Sequence, residues 1–477
     1  MDRLSSIDAS FLTQEGSASH MHVGGILIFE GPPPSYRDLL DHVRSRLHLV
    51  PRFRQRLVFP PLQMGRPFWV DDASFNLEYH VRHSALPQPG SEEQLRKLAG
   101  RLFSQQLDRG KPLWELWLVQ GLKRKRFALM SKTHHALVDG VAGVDIATVL
   151  FDVAPVPEPT EPEHEWVPEP EPTQADLVVR GVEELAKTPI NVVRRLESAI
   201  EHPGPAIEQA TEAVEALSEV GWAFANPAPE VPLNVAIGSH RRFSWVRADL
   251  ADLKRIKDAL GGTVNDVVLA VVAGGLRRWL HSRGMRTEGL ELRALVPMSI
   301  RAEDEHGQLG NRIAAMRGPL PVYIEDPVRR LTTVRESMDG VKSSKQALGA
   351  EVISRFNDFA PPTLLAQASR LNFSTRLFNL IVTNVPGPQI PLYVLGRELE
   401  DVFPVAFLPK RHALAIAIMS YHGGMNFGLL ADYDAMDDVQ EITDGIESSI
   451  GELLREAANG RREPAAVSGE SSSSAES

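Results

Sequence analysis

The chain has 477 residues, 43% hydrophobic and 24% charged, with a formal net charge of −11 at pH 7. At roughly 100–200 residues per domain, this length predicts two domains with sizeable cores. The acidic balance argues against a nucleic-acid partner. The absence of cysteine excludes disulfides, thiolate zinc sites and a cysteine nucleophile, and fits a reducing cytoplasm.

The opening MDRLSSIDAS lacks the basic-then-apolar layout of a secretory signal, and no run of about 18 apolar residues could span a membrane. A peripheral contact with lipid stays open. MHVGGILIFEG predicts a strand, and SYRDLLDHVRSRLHLVPRFRQRLV has helical spacing up to Pro51. PLWELWLVQGL and RFALMSKTHH read as two strands joined by a basic turn at Lys123–Arg126. Leu137, Val141, Val144, Thr148 and Phe151 then recur as one face of a helix. Prolines and glutamates crowd residues 153–174, which predicts an extended, charge-repelled linker. ADLVVRGVEELAKTPINVVRRLESAIE follows as a helical bridge. Strand RRFSWVRAD opens the second block, and helix LADLKRIKDAL ends at Gly261–Gly262. Thr263 caps the next helix, with Val264, Val267, Val268, Val271, Gly275 and Trp279 on its apolar face. LRALVPMSI, FNLIVTNVPGP and the HALAIAIMSY–HGG–MNFGLLADYD hairpin are strands, and a helix over about 437–457 closes the fold. The polar tail after Arg462 is predicted to be disordered. The class is α/β or α+β, divided as 1–153, 154–235 (linker), 236–460 and 461–477 (tail).

The stretch THHALVDG, Thr133–Gly140, carries the strongest chemical signal. Along a strand, Thr133 and His135 face one way and His134 the other. If the strand persists to its end, one histidine is reactive and the other supports it. A neutral imidazole can take a proton from a hydroxyl near pH 7. Asp139 could fix its tautomer or lock the turn by pairing with an arginine, and Gly140 allows a close backbone approach. The bland readings are a structural histidine and an Asp139 helix cap. A metal shared by His134, His135 and Asp139 is disfavoured by the opposed side chains and by the lack of a second ligand cluster. No G-x-S-x-G elbow supplies a serine nucleophile.

HHALVDG resembles the HHxxxDG motif of CoA-dependent acyltransferases and condensation domains, the chloramphenicol-acetyltransferase-like superfamily. PLWELWLV at Pro112, NDVVLA at Asn265, TNVPGP at Thr383, the opening LSSIDASFLTQEGSASHMHVGG and LRALVPMSIR are similar to the bacterial wax ester synthase/diacylglycerol acyltransferase family. The resemblance runs from about residue 4 to 457. It implies two chloramphenicol-acetyltransferase-like α/β domains joined by a helical linker, with a channel between them. It implies His135 as general base, attack of an acceptor hydroxyl on an acyl thioester, and release of CoA. His134, Asp139 and Gly140 would support it. Asp139 would pair with an arginine, for which Arg301 is a candidate. The DFGWG motif has no close copy here, so nothing is carried over from it.

For Trp114, core packing and an acyl-tunnel lining are both open. Asp266 suits the positive end of a helix, while Asn265 either holds the channel wall or meets substrate. Thr383 or Asn384 either shapes a rigid loop or donates to the tetrahedral oxyanion. His20 and His22 read as structural. The reaction implied is acyl-CoA-dependent O-acylation of diacylglycerol or a long-chain alcohol, with no metal or cofactor beyond the acyl-CoA substrate. It would take place in the cytoplasm, on a membrane or lipid inclusion. The rivals are a condensation-like enzyme using a carrier-protein thioester, and a silent lipid-binding homologue.

Overall fold

A computed structural model describes residues 2–61, 66–137, 150–156, 166–180, 226–299, 313–343 and 374–459. Three sheets organise them. The first has the order β12-β13-β2-β7-β6-β5. Its strands are β2 (His22–Phe29), β5 (Val81–Ala85), β6 (Trp114–Leu122), β7 (Arg126–His134), β12 (Tyr393–Val394) and β13 (Arg397–Val405). The second has the order β10-β9-β11-β14-β15-β8. It comprises β8 (Arg241–Asp249), β9 (Leu292–Ser299), β10 (Ile313–Leu320), β11 (Leu380–Pro386), β14 (Leu414–Tyr421) and β15 (Gly424–Asp432). A small sheet of β1 (Asp2–Arg3), β4 (Phe68–Asp71) and β3 (Gln55–Val58) lies to one side. Parallel pairs (β5–β6, β9–β11 and β11–β14) mix with antiparallel ones, as expected of the predicted α/β class.

Sequence predicts 236–460 as one unit, yet β12 and β13 leave the second sheet and complete the first. Seen from its sequence, RELEDVFPV is a poor strand, charged and interrupted by Pro404. The proline is tolerated because β12 covers only Arg397 and Glu398, so Pro404 lies where β13 has a free edge.

The helices are α1 (Ser6–Gln14), α2 (Tyr36–Arg46), α3 (Leu77–His80), α4 (Glu92–Phe103), α5 (Leu250–Leu260), α6 (Val264–Ser282), α7 (Pro327–Ser343) and α8 (Val439–Asn459). Thr263 caps α6 as predicted. Its hydroxyl accepts from the Asp266 N–H at 3.2 Å, and Asp266 Oδ2 accepts from the Thr263 N–H at 2.7 Å. Helix α6 is apolar nearly all round because it is buried between the second sheet and α8. No single described helix is long and apolar enough to cross a membrane.

One core lies behind the first sheet, built on Leu27, Phe29, Trp114, Phe127 and Leu129. A second lies behind the other sheet around α6 and α8. A third fills the seam between the two sheets. Ile26, Met130 and Phe403 of the first sheet meet Trp245, Ile381 and Ala417 of the second there, with Leu95, Leu98 and Leu102 of α4. Phe403 stacks on Trp245 with ring centroids 4.4 Å apart, a contact contributing about 0.5–1.5 kcal/mol beyond burial. At the rim, Glu92 of α4 accepts from Arg126 at 3.0 Å and from Arg247 at 2.8 Å, and Arg247 also donates to Asp401.

The sheets cross closely at one point. A methyl group built on Gly428 of β15 would lie 1.9 Å from the Pro404 carbonyl oxygen of β13. Gly428→Ala therefore forces backbone apart at the seam. It is expected to destabilise by about 1–3 kcal/mol, the usual span for overpacking, read as a lowered denaturant midpoint at unchanged slope. An unaltered midpoint would show that the seam yields freely.

Candidate active site

Strand β7 ends at His134, and His135–Leu137 form a single 3-10 turn. Strict alternation therefore stops one residue short of the motif's second histidine. Phe127 and Leu129 face the first core and Ala128 and Met130 the seam. His134 continues the seam-facing series and is fully buried. The turn swings His135 to the seam as well, and its N–H donates to the Met21 carbonyl at 2.8 Å. Its imidazole stacks on Phe11 at 3.9 Å and meets Phe407 edge-on at 5.5 Å. Phe11 belongs to α1, whereas Phe407 follows β13, so both halves of the chain enclose this ring. Burial, aided by His134, pushes the His135 pKa down to about 4. The imidazole is thus neutral at pH 7.

Sequence reading did not single out Glu15. Helix α1 ends there, with the Glu15 N–H donating to the Phe11 carbonyl at 3.0 Å. Residues four apart lie on one helical face, so the last turn of α1 sets Phe11 against His135 and Glu15 beneath His134. The carboxylate lies 3.5 Å from His134 Nε2 and 3.4 Å from His22 Nε2. It also accepts from Arg109 Nε at 2.8 Å. His134 Nδ1 accepts the Ala136 N–H at 3.0 Å, which leaves its proton on Nε2, facing Glu15. Burial alone would raise the Glu15 carboxyl, but His134 and His22 outweigh it and hold the group well below the usual carboxylate range. His22, expected to be structural, is thus part of this cluster. Burial pushes its pKa to about 3, and Lys132 adds to the effect. Arg109 already neutralises Glu15, so the cluster does not offer a cation a free carboxylate.

Lys132, also on the seam side of β7, is buried. It donates to the Leu102 and Gln105 carbonyls and pairs with Glu115 at 3.2 Å. Arg82 closes that pair at 3.1 Å.

The other expected residues separate into three places. Asn384 Nδ2 donates to Asn265 Oδ1 at 3.5 Å, joining the end of β11 to the first turn of α6. Alternation along β11 puts Asn384 on the α6 side and Thr383 on the seam side with Ile381. Of the two, Thr383 therefore shares a sheet face with the groups around His135. Trp114 lies in the first core instead, stacked between Phe53 and His80, with its indole N–H donating to the Phe53 carbonyl at 2.8 Å. Asp139, Gly140 and Arg301, with most of the helix predicted after the motif, lie outside the described residues.

Residues 4–268 match the wax ester synthase/diacylglycerol acyltransferase catalytic domain, and 309–454 match the WS/DGAT C-terminal domain. A probable diacylglycerol O-acyltransferase of Mycobacterium tuberculosis, tgs1, is 32% identical over 95% of this chain and 96% of its own. A solved wax ester synthase/diacylglycerol acyltransferase from Marinobacter aquaeolei VT8 superposes with a TM-score of 0.68 at 28% identity, over 96% of this chain and all of that one. The first condensation domain of the calcium-dependent antibiotic synthetase shares the fold, with a TM-score of 0.57 at 15% identity over 96% of each chain. The chain belongs to the wax ester synthase/diacylglycerol acyltransferase family.

Removing the Glu15 charge leaves Arg109 and His134 facing a weaker acceptor. Glu15→Gln is expected to cost about 1–3 kcal/mol of stability, visible as a lower Tm. A variant as stable as the parent would mean that Glu15 does not anchor the pair.

Burial also sets a pH window. His22, His80, His135 and His412 stay neutral in the folded chain down to about 3–4, whereas unfolded histidines protonate near 6.5. Between these values the unfolded state binds more protons, so stability is full above about pH 6.5 and falls as pH drops towards 4. Urea titrations at pH 7.5, 6 and 5 should show a falling midpoint. A midpoint constant over that range would contradict the buried, neutral assignment.

Proposed function

We propose that this protein transfers the acyl group of a long-chain acyl-CoA to diacylglycerol, forming triacylglycerol, with long-chain alcohols as a second acceptor class giving wax esters. The observation that carries the reading is His135. It is a neutral imidazole enclosed by Phe11 and Phe407 at the seam of the two sheets, inside the HHxxxDG pattern. The names of the mycobacterial and Marinobacter relatives support the same chemistry.

In the proposed reaction His135 takes the proton of the acceptor hydroxyl as its oxygen attacks the thioester carbonyl. The tetrahedral intermediate collapses, the carbon–sulfur bond breaks, and the CoA thiolate leaves with the proton returned from His135. Acyl-CoA is a substrate, and the step requires neither a metal nor a covalent acyl-enzyme. His134 and Glu15 position the turn without touching the reacting atoms. Thr383, on the seam face of β11, is the proposed donor to the oxyanion, and the Asn265–Asn384 pair fixes the strand that carries it. The acceptor is insoluble in water, so the protein collects it by peripheral contact with a membrane or lipid inclusion on the cytoplasmic side.

The test is CoA release with long-chain acyl-CoA and diacylglycerol in micelles. His135→Ala is expected to fold normally and lose roughly 10²–10⁴-fold in turnover, the usual span for a positioned base. Near-parental turnover in that variant would falsify the assignment. A parent chain that binds diacylglycerol without releasing CoA would mark it as a lipid-binding homologue.

A further inference from the structure

Between Asp41 and Asp71 the sequence carries six arginines and no acidic residue, in a chain of net charge −11. Arg52, Arg54 and Arg56 lead into and along β3 of the small sheet. One face of that sheet, with Leu57 and Trp69, belongs to the first core. The register puts Arg56 opposite Val70 and Val58 opposite Phe68 on the other face. Phe68 and Val70 belong to none of the three cores, yet each is only 4% exposed.

Arg3 lies over Phe68 at 4.5 Å, and the Pro/Glu segment, expected from sequence to be an extended, charge-repelled linker, runs beside this face. Trp166 stacks beneath Arg54 at 4.5 Å and meets Phe75 edge-on. The Glu169 N–H donates to Asp71 at 3.0 Å, and Arg56 donates to Glu171. Leu177 is buried just beyond. An acidic strap thus lies beside a face that combines guanidinium and apolar groups, with Phe59, 47% exposed, just beyond the end of β3. The strap's ion pair is half-exposed, a class of contact that holds weakly.

We propose that the face bearing Arg54, Arg56, Phe68 and Val70, with Phe59 just beyond the end of β3, docks on anionic lipid surfaces, and that the Trp166–Asp176 strap is its intramolecular competitor. Lipid phosphates replace Glu171 on Arg56, and the apolar groups enter the interface as the strap lifts. Arginine supplies phosphate recognition, and the apolar border supplies insertion. The basic turn at Lys123–Arg126 is less suited to the same role, because Arg126 is committed to Glu92 and Glu400. The placement matters for the site because β1, an edge strand of the same small sheet, leads into α1, which carries Phe11 and Glu15. The proposal rests on the lipid-acceptor reading above.

The experiment is co-sedimentation of the full chain with phosphatidylcholine vesicles, with and without phosphatidylglycerol, at low and high salt. The parent is expected to favour the anionic vesicles. Arg54→Gln/Arg56→Gln should weaken that binding roughly 25-fold, about fivefold for each arginine near an anionic surface. Glu169→Gln/Glu171→Gln should tighten it severalfold. Parental binding by the arginine variant, or weaker binding by the glutamate variant, overturns the proposal. So does an arginine variant with unchanged vesicle binding but a raised KM for acyl-CoA in neutral micelles, which would make the face a CoA phosphate site. Micellar turnover is read separately. A parent chain that binds anionic vesicles through these arginines but shows no acyl transfer would sink the enzymatic reading and leave the surface standing.

Discussion

The pairing of β13 on β2 is the constraint on which the rest of the molecule depends. The chain leaves the second sheet after β11, crosses to hydrogen-bond Leu399–Val405 against Gly24–Phe29, and returns to build β14 and β15. This one ladder sets Phe403 against Trp245, brings the Pro404 carbonyl onto Gly428, and delivers Phe407 to the His135 ring. A site made from both halves needs such a tie. Two lobes merely tethered by a linker would move relative to each other by default. A backbone ladder fixes register to the residue, because a one-residue slip would turn every side chain to the wrong face.

Charge burial beside that seam follows the same logic. Glu15, His22, His134 and Arg109 form one cluster, and Lys132, Glu115 and Arg82 form another. Buried ion pairs are poor sources of net stability, since desolvation takes back most of the Coulombic gain. Their value lies in the cost of any other arrangement, because a misplaced α1 would strand a carboxylate among apolar groups. Phe11 and Glu15 share one helical face. The same requirement that places Glu15 under His134 therefore places Phe11 against His135.

Much of this was legible in the chain. The β6–β7 hairpin, β8, the cap at Thr263, the β14–β15 hairpin and the closing helix all carry local signals that agree with their tertiary setting. Helix α4 carries a comparable signal, a Ser91–Gln94 capping box ahead of Leu95, Leu98 and Leu102. Strand β13 and Glu15 are of another kind. RELEDVFPV has a strand's role without a strand's pattern, because its partner is 370 residues away and its proline is excused only by a locally free edge. Glu15 reads as a solvated residue before a glycine, and its partners at 22, 109 and 134 are brought together only by the fold. The alternation argument set the two histidines on opposite faces, but the strand ends before His135 and a 3-10 turn brings that ring to the seam side with His134.

The shared architecture with condensation domains shows how little the sheets alone decide, since folds host unrelated chemistries and function resides in the site. What is particular here is the apolar enclosure of His135. Burial and the neighbouring His134 lower its basicity, which weakens its pull on a proton, but they also keep it neutral at pH 7. In the proposed reaction the Phe11 and Phe407 rings orient the imidazole that would take the acceptor's proton, so their contribution is position rather than basicity.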